Sequence, residues 1–172
     1  CMPEDEYVWL AGESILSADE LERVARAFVG LGAREMRITG GEPLLRRDLD
    51  AIIARIAAID RDVEVALTTN GVLFARHAEA LKRAGLARVT FSVDTLRAER
   101  ARELSRTTRI GDVLDGLRAA RAAGFARTKI NAVVMRGKNG HERTARMGGR
   151  RNHSQNVRFI EYMDVGGATR WS

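Results

Sequence analysis

Two glycines, an acid and a proline stand together early in this sequence, as Gly40-Gly41-Glu42-Pro43. Because glycine has no Cβ, paired glycines let the backbone approach a ligand closely. Pro43 stiffens the exit from this turn and biases Glu42 towards an extended backbone. A carboxylate held at the end of a strand can bind an amino group. The same pattern also fits an ordinary strand-to-helix turn with an exposed acid, so the other predicted strands must decide between the two interpretations.

Polar side chains recur on one face of each predicted strand, because successive side chains of a strand point to opposite faces. The polar set that we expect to converge on one pocket is Arg37, Glu42, Thr68, Asn70, Ser92, Lys129, Asn131, Glu161 and Met163. In the last strand we expect Phe159 and Glu161 to lie on the polar face, opposite Ile160 and Tyr162. Arg and Lys in a partly dry pocket favour a polyanionic ligand such as a nucleoside triphosphate. Taken singly, each cation could equally form a salt bridge, and Met163 could fill the core.

Alternating strand and helix patterns surround these residues. Ser17-Ala18-Asp19-Glu20 has the pattern of a capping box, and Asp48 is a candidate cap for the second helix. Predicted strands cover 34–39, 63–69, 88–93, 128–134 and 156–162, with helices between them. The chain is therefore predicted to be α/β. Strands buried on both faces would be continuously apolar, so the polar strand ends favour an incomplete (β/α) TIM-like barrel with its site at the C-terminal mouth.

The composition excludes several classes of protein. The length of 172 residues favours one domain, and no apolar run approaches the ~18 residues of a membrane span. One cysteine, Cys1, excludes an internal disulfide and favours the cytoplasm, with a lipidated cysteine as the alternative. The net charge of +6 comes from residues 136–158, which hold seven bases and one acid. A charge so local gives little support to a general nucleic-acid surface.

Several motifs together resemble the GTP 3′,8-cyclase family of radical S-adenosylmethionine (SAM) enzymes. They are Cys1-Met-Pro-Glu4, Arg37-Ile-Thr-Gly-Gly-Glu-Pro-Leu-Leu-Arg-Arg-Asp48, Leu67-Thr-Thr-Asn-Gly71, Ser92-Val-Asp94, Lys129-Ile-Asn-Ala-Val-Val134 and Arg158-Phe-Ile-Glu-Tyr-Met-Asp-Val-Gly166. The Gly-Gly-Glu-Pro motif alone indicates only the radical SAM superfamily. The combination is far more specific, and it covers most of residues 1–137 and 156–168.

The resemblance implies an activity, two cofactors and residue roles. The activity is the radical conversion of GTP to (8S)-3′,8-cyclo-7,8-dihydroguanosine 5′-triphosphate, the first step of molybdenum cofactor biosynthesis. The cofactors are SAM and a 4Fe-4S cluster, and Cys1 matches the third cysteine of the family's cluster loop. The implied SAM-binding residues are Gly41, Glu42, Ser92 and Met163. The implied GTP-binding residues are Arg37, Thr68, Lys129 and Arg158. No membrane or nucleic-acid partner is expected, and a homodimer is one hypothesis for the assembly.

Three departures from the family pattern shape the remaining expectations. We expect residues 1–172 to be a single partial radical SAM core domain, with 1–16 a remnant of the cluster loop and 138–155 an atypical basic segment. The given sequence lacks the family's first two cluster cysteines with the N-terminal strand, and it lacks the family's C-terminal part. One thiolate cannot hold a 4Fe-4S cluster, so this chain alone is expected to be inactive. For residues 138–155 we expect compensating frame errors or a locally degenerate gene, against a rival arginine-rich nucleic-acid loop. The alternatives for function are another radical SAM enzyme with a phosphorylated substrate and a basic nucleic-acid-binding module.

Overall fold

The computed structural model describes residues 14–105, 108–140 and 156–162. These residues form five strands and five α-helices, with a short 3-10 helix at Pro43–Leu45 between β1 and α2. In chain order the elements are α1 (Ala18–Gly30), β1 (Glu35–Ile38), α2 (Leu49–Ala57), β2 (Glu64–Thr69), α3 (Phe74–Arg83), β3 (Leu86–Ser92), α4 (Ala98–Ser105), α5 (Ile110–Ala122), β4 (Thr128–Val134) and β5 (Asn156–Glu161). The five predicted strands are confirmed, with small differences at their ends.

All five strands are parallel and lie in the sheet in the order β1-β2-β3-β4-β5. A parallel crossover is almost always right-handed, so an order that runs in one direction places every connecting helix on the same face. A doubly wound sheet would instead reverse its order and carry helices on both faces. The sheet is therefore a sector of a (β/α) barrel, which confirms the predicted fold class.

One face of the sheet carries the hydrophobic core. The strand residues Val65, Leu67, Val89 and Phe91 are fully buried there, against side chains from α1, α2, α3 and α5. The ring of Phe74 on α3 meets the ring of Phe91 edge-to-face, with centroids 5.1 Å apart. The predicted apolar parity of β2 and β3 is thus confirmed, and the opposite face of the same strands remains for polar side chains.

The start of α1 confirms one predicted cap, and the start of α2 corrects another. The Ser17 hydroxyl accepts from the Glu20 backbone N–H, and the Glu20 carboxylate accepts from the Ser17 backbone N–H, as in a capping box. Asp48 precedes α2 as predicted, but its side chain makes no capping hydrogen bond. Its backbone ψ is 22° rather than extended, and Arg46 binds its carboxylate at 2.7 and 3.1 Å. This pairing holds the pKa of Asp48 below its ordinary value.

Helix α4 was not predicted from the sequence. Its sequence is Ala-Glu-Arg-Ala-Arg-Glu-Leu-Ser, and Ala101 lies in the buried core. So few apolar residues give no helical stripe for a periodicity argument to detect.

Across the described ranges, no helix is both long and apolar enough to cross a membrane.

Candidate functional site

Two rows of side chains cross the face of the sheet opposite the hydrophobic core. Residues paired in neighbouring parallel strands lie side by side, and their side chains point to the same face. The register pairs Thr68 with Thr90 and Thr90 with Lys129. The next row towards the C-terminal ends of the strands pairs Ser92 with Asn131 and Asn131 with Arg158. The structure therefore brings four predicted site residues onto one face: Thr68, Ser92, Lys129 and Arg158.

Arg37 on β1 reaches into the first of these rows. Its Nη1 donates to the Thr68 hydroxyl at 3.3 Å and to the Thr90 hydroxyl at 3.4 Å. Its Nη2 donates to the Glu35 carboxylate at 2.8 Å. The Arg37 side chain remains 39% exposed, and its guanidinium has five N–H donors in all. The guanidinium is therefore held in place by the protein and still accessible to an anion. Thr90, which sequence reasoning left without a role, lies at the centre of this group.

An ion-pair network supports Arg37 from the N-terminal side of the sheet. Arg88 on β3 binds Glu35 on β1 at 2.5 Å and Glu64 on β2 at 2.9 Å, and its side chain is only 16% exposed. Arg127 adds a contact to Glu64 at 3.2 Å. The Arg88 guanidinium, with a smaller contribution from Arg37, holds the pKa of Glu35 below its ordinary value. These ion pairs join residues far apart in the chain, so no local spacing in the sequence indicates them. The sequence shows only that Glu35, Glu64 and Arg88 lie at strand positions that face the polar side of the sheet.

The Glu42 carboxylate connects the glycine turn to the end of β2. Oε1 accepts from the Thr69 hydroxyl at 2.7 Å and from the Leu44 backbone N–H at 3.0 Å. Oε2 accepts from the Asn70 backbone N–H at 2.8 Å. Sequence reasoning took Glu42 as a group that faces the ligand and missed these bonds to Thr69 and Asn70.

The Thr-Thr-Asn-Gly turn has its own internal hydrogen bonds. The Thr69 hydroxyl accepts from the Gly71 N–H, and the Asn70 side-chain oxygen accepts from the Val72 N–H, both at 3.0 Å. Gly71 has a φ of +82°, and a Cβ there would lie 2.6 Å from Phe91 Cδ1. The expected pocket role of the Asn70 amide therefore needs qualification, because its oxygen already caps the turn.

A second polar clamp joins the ends of β3 and β4. The Asp94 carboxylate accepts from the Val133 N–H at 2.9 Å. Asn139, which is only 3% exposed, donates to the carbonyls of Asp94 and Val133 and accepts from the Met135 N–H. The clamp fixes the strand ends that follow Ser92 and Asn131, and sequence reasoning gave Asn139 no role.

The expected parity of β5 is wrong. Lys129 pairs with Asn156, Asn131 with Arg158 and Val134 with Glu161. Arg158 therefore shares the polar face with Lys129 and Asn131, whereas Phe159 and Glu161 lie on the opposite face, and Glu161 is not one of the converging acids. The remaining predicted site residues, Cys1 and Met163, lie outside the described residues, as does most of the basic segment 138–155.

The described residues differ in how well they suit the two cofactors. They include no cysteine and no group of three or more His, Cys, Asp or Glu side chains that could hold a metal ion. A 4Fe-4S cluster needs thiolate ligands, so this part of the chain does not provide the cluster site. The described residues suit a ligand with an ammonium group better. A carboxylate oxygen can accept two hydrogen bonds, and Glu42 Oε2 accepts one from the described residues, so it can accept a second from an ammonium group.

Comparison with known proteins agrees with the fold. "GTP 3′,8-cyclase 3" of Mycobacterium bovis is 48% identical over the whole chain, and "GTP 3′,8-cyclase" of Xanthomonas axonopodis pv. citri is 46% identical. The chain spans about half the length of these relatives, 47% and 53% respectively. The structure of Streptococcus suis SuiB bound to S-adenosylmethionine superposes with a TM-score of 0.73 at 21% identity, covering 90% of this chain and 36% of SuiB. The model of the radical SAM superfamily matches residues 7–147, and the chain belongs to this superfamily.

Proposed function

We propose that this chain carries the nucleotide-binding half of a GTP 3′,8-cyclase, a radical SAM lyase of molybdenum cofactor biosynthesis. The observation that carries the proposal is the placement of Arg37, Thr68 and Lys129 together on the face opposite the core. The same chain is 46–48% identical, along its whole length, to two proteins named GTP 3′,8-cyclase. Since it spans about half of those relatives, the activity of the whole protein is inferred from the shared half.

The substrate side of the proposal follows from charge and position. Arg37 offers a planar, permanently charged fork that can bind phosphate oxygens in pairs. Lys129 on β4 offers a compact charge two strands from Thr68, in the same row as Thr68 and Thr90. Arg158 lies one row further towards the strand ends and is exposed, which suits a contact at the rim. Together these cations would balance much of the charge of a triphosphate.

The SAM side of the proposal rests on the strand ends nearest the glycine turn. Gly41 and Ser92 are exposed there, and Glu42 Oε2 retains the capacity to accept a bond from the SAM ammonium group. Met163 and Cys1 complete the proposed set as a SAM contact and a cluster ligand. When bound together, the reduced 4Fe-4S cluster would supply the electron, and SAM would supply the 5′-deoxyadenosyl group that takes hydrogen from the substrate. The residues of this chain bind and orient the two ligands and keep water from the space between them.

The decisive experiment uses the full-length gene product, reconstituted anaerobically with iron and sulfide and supplied with SAM, reductant and GTP. We expect 5′-deoxyadenosine and a cyclised guanine nucleotide, both dependent on GTP. Deoxyadenosine formed without GTP dependence would favour a radical SAM enzyme with another phosphorylated substrate. Protein that takes up no iron would refute both assignments.

Lys129→Ala tests the substrate role directly. It should weaken GTP binding about tenfold or more, the usual effect of losing a charge-assisted contact, while SAM cleavage persists. Lys82→Ala is the matched control, because it removes the same charge from α3, where Lys82 lies over the Phe125 ring. Equal loss of GTP affinity in the two variants would indicate a general charge effect and contradict the proposed role.

The proposed enzyme also has a substrate, a cellular location and an assembly state. GTP is the small-molecule substrate, no membrane or nucleic-acid partner is included, and the cytoplasm is the proposed location. A homodimer remains a hypothesis that sedimentation of the full-length gene product would test.

A further inference from the structure

We propose that Glu42 is a positioning residue, whose carboxylate fixes the Gly40-Gly41 turn against the end of β2 and thereby sets the geometry of the SAM side of the pocket. The inference rests on the proposed binding of SAM at this turn and adds to the ammonium contact proposed above. It assigns Thr69, the residue next to Thr68, a part in SAM binding without any contact to SAM.

The Glu42 carboxylate joins two segments that are far apart in the chain. Thr69 and Asn70 lie 27 and 28 residues beyond Glu42, yet both donate to its oxygens, at 2.7 and 2.8 Å. Hydrogen bonds to an ionised group are shorter and stronger than neutral ones. The bond from the Leu44 N–H at 3.0 Å adds a local anchor at the start of the short 3-10 helix.

The glycine turn is open to solvent at Gly40. Gly40 and Gly41 are exposed, and a Cβ built at Gly40 would meet no heavy atom within 4 Å. Packing therefore does not fix this turn at Gly40. The backbone just after it is fixed by the buried Pro43 and Leu44 and by the bonds of Glu42.

The turn that follows β2, to which Glu42 binds, is itself anchored in the fold. The Thr69 side chain is 2% exposed, and its hydroxyl both donates to Glu42 and accepts from the Gly71 N–H at 3.0 Å. Gly71 in turn lies against the Phe91 ring and, through its carbonyl oxygen, against Gly116 of α5. Glu42 thus connects the glycine turn to a part of the fold that is anchored in the core.

The neighbouring threonines offer a matched pair of variants for the test. Thr68 and Thr69 point to opposite faces because they are adjacent in a strand. Thr68 accepts from Arg37 on the proposed nucleotide side, and Thr69 donates to Glu42 on the proposed SAM side. Each Thr→Val change removes one hydroxyl and keeps the shape of the side chain.

The experiment measures the dissociation constants of SAM and GTP separately, with the reconstituted full-length gene product. Thr69→Val should raise the SAM constant about tenfold and leave the GTP constant within about twofold, whereas Thr68→Val should do the reverse. Thr69→Ser, which keeps the hydroxyl, should restore SAM affinity. If Thr69→Val changes both constants together, or neither, or if Thr69→Ser fails to restore binding, the positioning role is wrong. Wild-type protein that binds no SAM would refute the proposed function and this inference with it, a result read without any variant.

A measurement on the wild-type protein covers the case in which Thr69→Val does not fold. The Asn70 amide donates to Glu42, so its hydrogen exchange reports that bond. SAM should slow exchange at Asn70, because binding would order the carboxylate that the amide contacts. Exchange at Asn70 that is unchanged by saturating SAM would overturn the inference.

Discussion

The contact between α5 and the Thr-Thr-Asn-Gly turn makes a specific prediction about two glycines in one helix. A Cβ added at Gly116 would lie 2.7 Å from the Gly71 backbone oxygen and 3.3 Å from both Phe74 Cβ and Phe91 Cε1. A Cβ added at Gly111, in the first turn of the same helix, would meet nothing within 4 Å. Gly116→Ala should therefore force a backbone shift, whereas Gly111→Ala should not.

The expected magnitude follows from two opposing effects. Overpacking a core costs about 1–3 kcal/mol, and the clash at Gly116 involves a backbone atom that no rotamer change can move. Replacing a helical glycine with alanine recovers up to about 1 kcal/mol. We expect Gly116→Ala to lower the free energy of unfolding by about 1–2 kcal/mol, and Gly111→Ala to be neutral or slightly stabilising.

Urea unfolding of the two variants and the wild type, in the full-length gene product, measures this difference. The denaturation midpoint should fall in Gly116→Ala with an unchanged slope, because the surface exposed on unfolding stays the same. Since both substitutions change glycine to alanine in α5, most of the helix-propensity effect cancels between them. Equal midpoints for Gly116→Ala and Gly111→Ala would refute the close approach of α5 to Gly71.

Two further predictions concern polar groups that sequence reasoning missed. Asn139→Ala should lower the free energy of unfolding by about 1–3 kcal/mol, because it removes the hydrogen bonds of Asn139 to the Met135 N–H and to the carbonyls of Asp94 and Val133. Calorimetry that gives no change would contradict the clamp. The pKa of Glu35 is lowered in the folded protein, so its ion pairs stabilise the fold above the ordinary carboxyl pKa and lose that effect as the pH falls through the lower folded pKa. Glu35→Gln should therefore lose less stability than the wild type as the pH falls from about 5 to 3, as measured by unfolding at each pH. Parallel pH profiles for the two proteins would show that Glu35 is not coupled to Arg88.

Regular periodicity explains what the sequence could predict. Helices α1, α2, α3 and α5 carry apolar residues at helical spacing, and the core residues Val65, Leu67, Val89 and Phe91 recur at every second position of β2 and β3. Parity along the strands was also enough to expect that Thr68, Ser92 and Lys129 share a face. These features depend on residues close together in the chain, where spacing alone determines direction.

The failures have physical causes as well. In the first half of β5, Val157 and Phe159 alternate with the polar Asn156 and Arg158, in agreement with the observed faces. In the second half, Ile160 and Glu161 reverse this alternation, so a prediction from that half assigns the faces the wrong way round. As the last strand of the described sheet, β5 pairs only with β4, so burial imposes a weaker pattern on it.

The bonds of Glu42 were out of reach for a different reason. The Glu42 carboxylate meets Thr69 and Asn70 only after β1 and β2 have paired, so no local spacing in the sequence reports the contact. The Arg88 ion pairs with Glu35 and Glu64 likewise join three strands and depend on the register of the sheet.

The division of the sheet into a core face and a polar face bears on how such proteins diverge in evolution. A substitution at Thr90 or Lys129 changes the chemistry of the polar face and leaves Val89, Phe91 and their helix partners untouched. New substrates can therefore be acquired one residue at a time with little change to the packing of the hydrophobic core. An insertion of one residue that no bulge absorbs has the opposite consequence, because it exchanges the two faces of the strand beyond that point and disrupts both core and pocket. Changes of length should accordingly accumulate in the connections between elements, while the strands diverge by substitution alone.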